Sequence, residues 1–261
     1  MNGGNNGYNG RYFVCVWYFA EKFRLFYSVK ACYTHTNVIS GGEVGFMPNR
    51  SDEQMEESPP KNGQIVILNG TPRAGKTSIA TVIQDTFDGV WLNFGGSHFK
   101  KMTPSRFQPG IALRPGGESP DLEPVIVTMY QALYESIAVY SRLGINIVAD
   151  VWHHDFYSTP RGILPDCARI LKDLPVLFVG VRCPIEVVMQ RRLATWGTGY
   201  ERDGVVPRPV RIWQDAVHVP GIYDLEVDTS VLSSEECAGL IRERLEQGST
   251  PSAFRQLEAW V

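Results

Sequence analysis

The run Gly70-Thr71-Pro72-Arg73-Ala74-Gly75-Lys76-Thr77 constrains this chain more than any other feature. It matches G-x-x-x-x-G-K-[ST] in full. The glycines of that pattern let the backbone curl until its N–H groups converge on phosphate oxygens. The lysine, here Lys76, brings charge to the β- and γ-phosphates, and the hydroxyl, here Thr77, ligates Mg²⁺. The pattern has force only between a strand and a helix, and that context is present. Residues 64–69 (QIVILN) form a short β-branched apolar run, which reads as a buried strand. Residues 76–87 have helical spacing through Ile79, Val82 and Ile83. The start of that helix adds its positive dipole end to the loop. The eight residues of the run, with Ser78 after them, are therefore the expected contacts of a nucleotide, with ATP and Mg²⁺ as the expected ligands.

Strands and helices go on alternating beyond the loop. Strands are expected at residues 90–94, 145–151, 176–181 and 225–228. Helices are expected at 125–142, with Pro124 as a first helical residue, and at 165–174 and 184–194. Ser233 and Glu236 form an S-x-x-E capping box for a last helix ending near residue 246. Residues 105–123 are rich in Pro and Gly and read as a long loop. Alternation of this kind predicts an α/β domain, a parallel sheet with helices on both faces, over residues 62–247. Residues 1–61 read as a poorly structured extension and linker, and 248–261 as a tail. A chain starting near Met55 is expected to fold and bind ATP as the full chain does, because the sheet begins at Gln64.

Composition narrows the partners. A hydrophobic content of 43% with 20% charged residues suits a globular core. A net charge of −3 argues against non-specific nucleic-acid binding, which draws on a basic excess. The apolar run at 12–20 is too short to span a membrane, where about 20 residues are needed. Arg11 alone is a poor n-region for a secretory signal, and no A-x-A-like site follows. Cys15, Cys32, Cys167, Cys183 and Cys237 are scattered without metal-ligand spacing. A cytoplasmic protein with no membrane or nucleic-acid partner is expected.

Three further groups bear on chemistry. Asp150 ends the third strand, where an acid on the Mg²⁺ side of a phosphate loop belongs. His153, His154 and Asp155 follow it, but adjacent residues point different ways, so a polar loop fits better than a metal site. The second strand runs into Gly95-Gly96-Ser97-His98. A neutral imidazole can take a proton from a hydroxyl acceptor, and His98 is placed for that role. Lys100, Lys101, Arg106 and Arg114 follow with no acid among them, as anion receivers or as solvated loop charges. After the fourth strand come Arg182, Arg191, Arg192, Arg202, Arg208 and Arg211, some on a Gly-rich segment at 196–209 that suits a lid over a transferring phosphoryl group.

The stretches QIVILNGTPRAGKTSIA, VWLNFGG, GINIVADVW, VLFVGVRCPIEVVMQRR and HVPGIYDLEVDTS occur in an order that resembles the chloramphenicol phosphotransferase-like family of P-loop kinases. The resemblance runs from Gly63 to about Leu245. It implies an adenylate-kinase-like sheet of order 2-3-1-4-5 and transfer of the ATP γ-phosphate to a small-molecule hydroxyl. Gly70, Gly75, Lys76 and Thr77 match the family's phosphate loop. Asp150 matches the second of its two strand-end acids, and Ala149 stands at the first. Arg182 and Arg191 match its arginines after strand four. Where the family carries an acid after the second strand, this chain has Ser97, and the family's Arg-Gly-Asp-Arg lid run is absent. The expected catalytic set is thus Lys76, His98, Asp150, Arg182 and Arg191, with Thr77 and Asp150 on Mg²⁺, Asp150 directly or through water. The expected function is an ATP-dependent small-molecule kinase acting on an antibiotic-like or metabolite hydroxyl. The alternatives are a nucleoside or nucleotide kinase, or a nucleotide-binding module without transferase chemistry.

Overall fold

The computed structural model describes residues 61–261 except 198, 202, 249, 250 and 261. The extension read from the sequence therefore lies outside the described residues, apart from Lys61. Five strands form one parallel sheet in the order β2-β3-β1-β4-β5. They are β1 (Ile65–Asn69), β2 (Trp91–Asn93), β3 (Asn146–Val151), β4 (Val176–Arg182) and β5 (Leu225–Asp228). The order is the one the resemblance implies. β1 lies at the centre, pairs with both β3 and β4, and is buried along its whole length. That is why it reads as an unbroken apolar run: both faces of the strand are covered.

Side chains alternate between the two faces of the sheet, and this decides what reaches the site. Ile65, Ile67, Ile147, Ala149, Val151 and Phe178 face one core, shared with α3 (Glu123–Arg142), α4 (Ile163–Leu171) and α8 (Ala253–Glu258). Val66, Leu68, Val148, Val179 and Val181 face the other, against α1 (Lys76–Thr86) and α7 (Ser234–Glu246). α7 starts on the expected capping box, with the Ser233 side chain accepting from the Glu236 N–H at 3.1 Å and the Glu236 carboxylate accepting from the Ser233 N–H at 2.8 Å. α5 (Ile185–Trp196) follows β4.

Three helices depart from the sequence reading. α2 (Gly96–Met102) begins directly after β2. α6 (Arg208–Ala216) closes the segment read as a lid, and Val210, Trp213 and Val217 are buried at i, i+3 and i+7. The short length of α6, with Pro207 at its N-cap and Pro209 in its first turn, hid that period. α8 lies in the segment set apart as a tail, yet Ala253, Phe254 and Leu257 are buried. Asp224 accepts from the Ser252 and Ala253 N–H groups at 2.7 and 3.0 Å, and Lys172 pairs with Glu258 at 2.6 Å.

Phe254 meets the Phe178 ring edge-on at 5.1 Å and stacks near Tyr134 at 6.3 Å. Phe254→Ala should cost about 3–4 kcal/mol, the usual scale for a buried aromatic, read as a lower urea midpoint at constant m-value. A loss under about 1 kcal/mol would show that α8 adds nothing to the core.

Candidate active site

The phosphate loop leaves β1 and enters α1 through two left-handed residues. Arg73 has φ 73° and Gly75 has φ 94°. At Gly75 that conformation favours glycine, and it sets the backbone N–H groups at the start of α1. Lys76 is buried, and its ammonium donates to the carbonyls of Gly70 at 2.8 Å and Thr71 at 2.7 Å. Burial lowers its pKa to about 7, against the opposing pull of Asp150 and then Cys183. Ala74 faces the core. Its carbonyl accepts from the Thr229 hydroxyl at 2.7 Å, which ties the loop to the end of β5.

Asp150 sits opposite Leu68 in the β1–β3 register, so alternation turns it to the α1 side while Ala149 faces away. It is buried. Its Oδ2 accepts from the Ser97 hydroxyl at 2.6 Å and from the Thr77 hydroxyl at 3.3 Å, and its Oδ1 accepts from the Ser97 N–H at 3.4 Å. The close approach is made at Gly95, where a Cβ would overlap the Asp150 carboxylate and backbone nitrogen. The paired glycines after β2 thus let the first turn of α2 abut the end of β3.

Loop and acid open into one cleft of about 1300 Å³ at the carboxyl ends of the strands. Thr71, Pro72, Arg73, Gly75, Lys76, Thr77 and Ser78 line it, whereas Gly70 and Ala74 support the loop from behind. Arg191 also lines it. Its guanidinium donates to the Thr229 carbonyl at 2.6 Å, the Thr229 hydroxyl at 3.0 Å and the Arg73 carbonyl at 3.3 Å, so it braces the loop against β5. Arg73 and Arg192 stack on Trp196 with 4.1 and 4.8 Å between guanidinium carbon and ring centroid.

Two expected catalytic residues are not brought to the cleft. Arg182 shares its face of β4 with Phe178, and there its guanidinium pairs with Glu226 at 2.7 and 3.2 Å. That pairing, a consequence of strand alternation, turns it from the phosphate loop. His98 is exposed and does not line the cleft, because one residue of helix swings it about 100° from Ser97. Lys100 and Lys101, further along α2, do line it. Arg202 lies outside the described residues, and Arg208 and Arg211 stand off the cleft wall.

The polar residues after β3 bond their neighbours in the fold. His153 faces Tyr134 at 2.7 Å, and burial, then the neighbouring His154, lowers its pKa to about 3. His154 bonds the Leu113 carbonyl at 3.0 Å, and Asp155 accepts from the N–H groups of Arg161 and Gly162 ahead of α4. Among the described residues no cluster of three or more His, Cys, Asp or Glu could hold a metal, and no helix is long and apolar enough to cross a membrane.

Sequence reasoning passed over four cleft features: the Ser97–Asp150 bond, the Thr229 anchor, and the rings of Trp152 and Trp213. Two carried a signal: Trp152 lies two residues beyond Asp150 at a strand end, and Thr229 falls within the stretch HVPGIYDLEVDTS. A family model described as "Chloramphenicol phosphotransferase-like protein" matches residues 63–246. A curated protein of Mycobacterium tuberculosis (strain ATCC 25618 / H37Rv), named "Putative O-phosphotransferase Rv2636", is 28% identical over 211 residues, covering 75% of this chain and 88% of that protein. Among solved structures, the APS kinase CysC of Mycobacterium tuberculosis in complex with AMPPNP and APS aligns at 17% identity over 72% of this chain and 99% of that one, with a TM-score of 0.48. Shikimate kinase from Acinetobacter baumannii in complex with shikimate aligns at 12% identity over 72% and 96%, with a TM-score of 0.47.

Proposed function

The chain belongs to the chloramphenicol phosphotransferase-like family, and on that premise we propose that it is an ATP-dependent O-phosphotransferase acting on a small-molecule hydroxyl. The observation that carries this reading is the convergence of the phosphate loop, Lys76 and a buried, hydroxyl-bonded Asp150 on one cleft. The acceptor oxygen attacks the γ-phosphorus, the bond from that phosphorus to the β,γ-bridging oxygen breaks, and ADP leaves with the electron pair. The acceptor proton passes to the Asp150 carboxylate and then to solvent. The loop N–H groups and Lys76 hold the phosphates, and Arg191 keeps the loop braced. Ser97 orients Asp150 through its hydroxyl bond.

Mg²⁺ fits the residues present. Thr77 and Asp150 offer a hydroxyl and a carboxylate oxygen 3.3 Å apart, a hard-oxygen pair. Mg²⁺ commonly takes one or two protein oxygens and fills its octahedron with phosphates and water. When bound it neutralises charge on the β- and γ-phosphates. The buried free thiols of Cys167, Cys183 and Cys237 suit the reducing compartment expected for such an enzyme.

The test is transfer of the γ-phosphate from labelled ATP across a panel of alcohols. A labelled organic phosphate supports the reading. ATP binding without transfer to any alcohol favours the nucleotide-binding module. The Ser97–Asp150 bond speaks against that module, because it keeps an oriented carboxylate where the family's acid is missing.

A pH dependence follows from Lys76. Its pKa near 7 lies below the ordinary 10.5 because burial disfavours the ammonium. A polyphosphate beside it favours the charged form, so binding takes up a proton whenever the free protein is neutral there. AMPPNP affinity should fall as pH rises above about 7, approaching tenfold per pH unit. Calorimetry in buffers of different ionisation enthalpy should show matching proton uptake. A flat Kd from pH 6.5 to 9 without uptake would contradict it. The sign for folding is separate. The folded chain binds fewer protons than the unfolded one between about 7 and 10.5, so the cost of burying Lys76 is greatest below that window and is relieved across it.

A further inference from the structure

We infer that the acceptor is an alcohol that also carries an anionic group, a carboxylate or a phosphate, received by Lys100, Lys101 and Arg114; the inference rests on the phosphotransferase reading and narrows its substrate class. All three side chains line the cleft. Lys100 and Lys101 make no ion pair among the described residues. Arg114 has only Glu118, at 3.9 Å with both side chains about half exposed, a pair of little strength.

The acids of the cleft do not balance this charge. They are Asp150 and Glu201. Asp150 is engaged by Ser97 and Thr77, and Glu201, on the segment after α5, is one carboxylate against the three cations Lys100, Lys101 and Arg114. The other cations are spoken for on the nucleotide side. Lys76 and Arg73 belong to the loop after β1, and Arg191 and Arg192 to the helix after β4. Lys100 and Lys101 stand on the helix after β2, at the other edge of the sheet. Positive charge at both ends of one cleft, with a buried base between, fits two anions meeting there rather than one.

The wall that carries these cations is built rather than loose. The Gln108 side-chain amide donates to the Lys100 and Thr103 carbonyls at 2.8 and 2.9 Å. Ile111 and Leu113 are buried in the core beside Arg114, and the Ile111 carbonyl accepts from the Tyr130 hydroxyl at 3.2 Å. Farther on, the Gly116 N–H donates to the Phe156 carbonyl at 2.7 Å. Trp152 and Trp213 supply apolar ring surface to the same cleft. Trp152 lies 5.5 Å from the Lys76 ammonium, and its ring abuts Gly96 at the start of α2. The acceptor thus presents its hydroxyl to Asp150, a hydrocarbon face to the tryptophans and its anionic group to the wall.

The experiment uses the full chain with ATP and Mg²⁺ and alcohols in matched pairs. Hydroxy acids are set against their methyl esters, and sugar phosphates against the free sugars, so carboxylate and phosphate are scored separately. The charged twin should show kcat/KM at least about tenfold higher. Lys100→Ala/Lys101→Ala should raise KM for it about 10- to 100-fold, leaving Kd for AMPPNP and the melting temperature unchanged. Neutral twins used equally well, or a KM indifferent to the double variant, would overturn the inference and leave the phosphotransferase reading standing. If no alcohol is phosphorylated, that reading fails instead. Titration of the charged twins into the AMPPNP complex then decides: binding weakened by the double variant upholds the anion site, and no binding, or binding that ignores it, overturns it.

Discussion

Lys76→Ala should lower kcat/KM for ATP by about 10²–10³-fold, with AMPPNP binding weakened in step and the fold intact. The ammonium is held within the loop by the Gly70 and Thr71 carbonyls, and no neighbouring cation is placed to replace it. Arg191 already spends its donors on Thr229 and the Arg73 carbonyl, and Arg73 stacks on Trp196. The fold should survive because the Lys76 ammonium bonds the loop carbonyls of Gly70 and Thr71, and burying its charge costs free energy that alanine does not incur. Of the two carbonyls it leaves, Thr71's belongs to a residue that lines the cleft, where water can enter. Isothermal titration with AMPPNP and a melting curve separate the outcomes. Unaltered nucleotide affinity would sink the phosphate-loop assignment, and a collapsed melting temperature would make Lys76 a structural residue.

Asp150→Asn should cost about 10²–10⁴ in kcat, the scale of a lost general base, with a smaller change in nucleotide affinity. His98→Ala should be nearly silent, since the imidazole is exposed off the cleft. Sequence alone offers His98 or Asp150 for that proton, the histidine standing beside the vacant acid position. Ser97→Asp also changes sign. As a restored family residue it would be expected to keep or gain activity. The 2.6 Å bond from Ser97 to Asp150 means that two carboxylates would share one site, one held protonated near neutral pH. The expected result is a lower rate at neutral pH with the acid limb of the pH–rate profile moved upward. Full activity in Asp150→Asn together with a dead His98→Ala would restore the histidine.

The phosphate loop was legible because its chemistry is local. Backbone N–H groups, a glycine free to adopt positive φ and a lysine at the helix start all lie within a few residues, and the strand before and the helix after are set by short-range patterns. Asp150 was legible for a related reason, since the end of an apolar strand can be counted and strand ends face the ligand in a parallel sheet. Sheet order and the phosphotransferase family followed from motifs spread along the chain in sequence. Tertiary structure decided what depends on facing. One step of α2 separates Ser97, bonded to Asp150, from His98, which points away. Alternation on β4 gives Arg182 to Glu226, while Arg191, on α5, reaches the Arg73 carbonyl of the loop. α8 joins the core through Phe254, although its own six residues are too few to show a period. Each of these turns on which way a side chain points in space, set by partners 38 to 120 positions distant, and no local pattern in the chain encodes that.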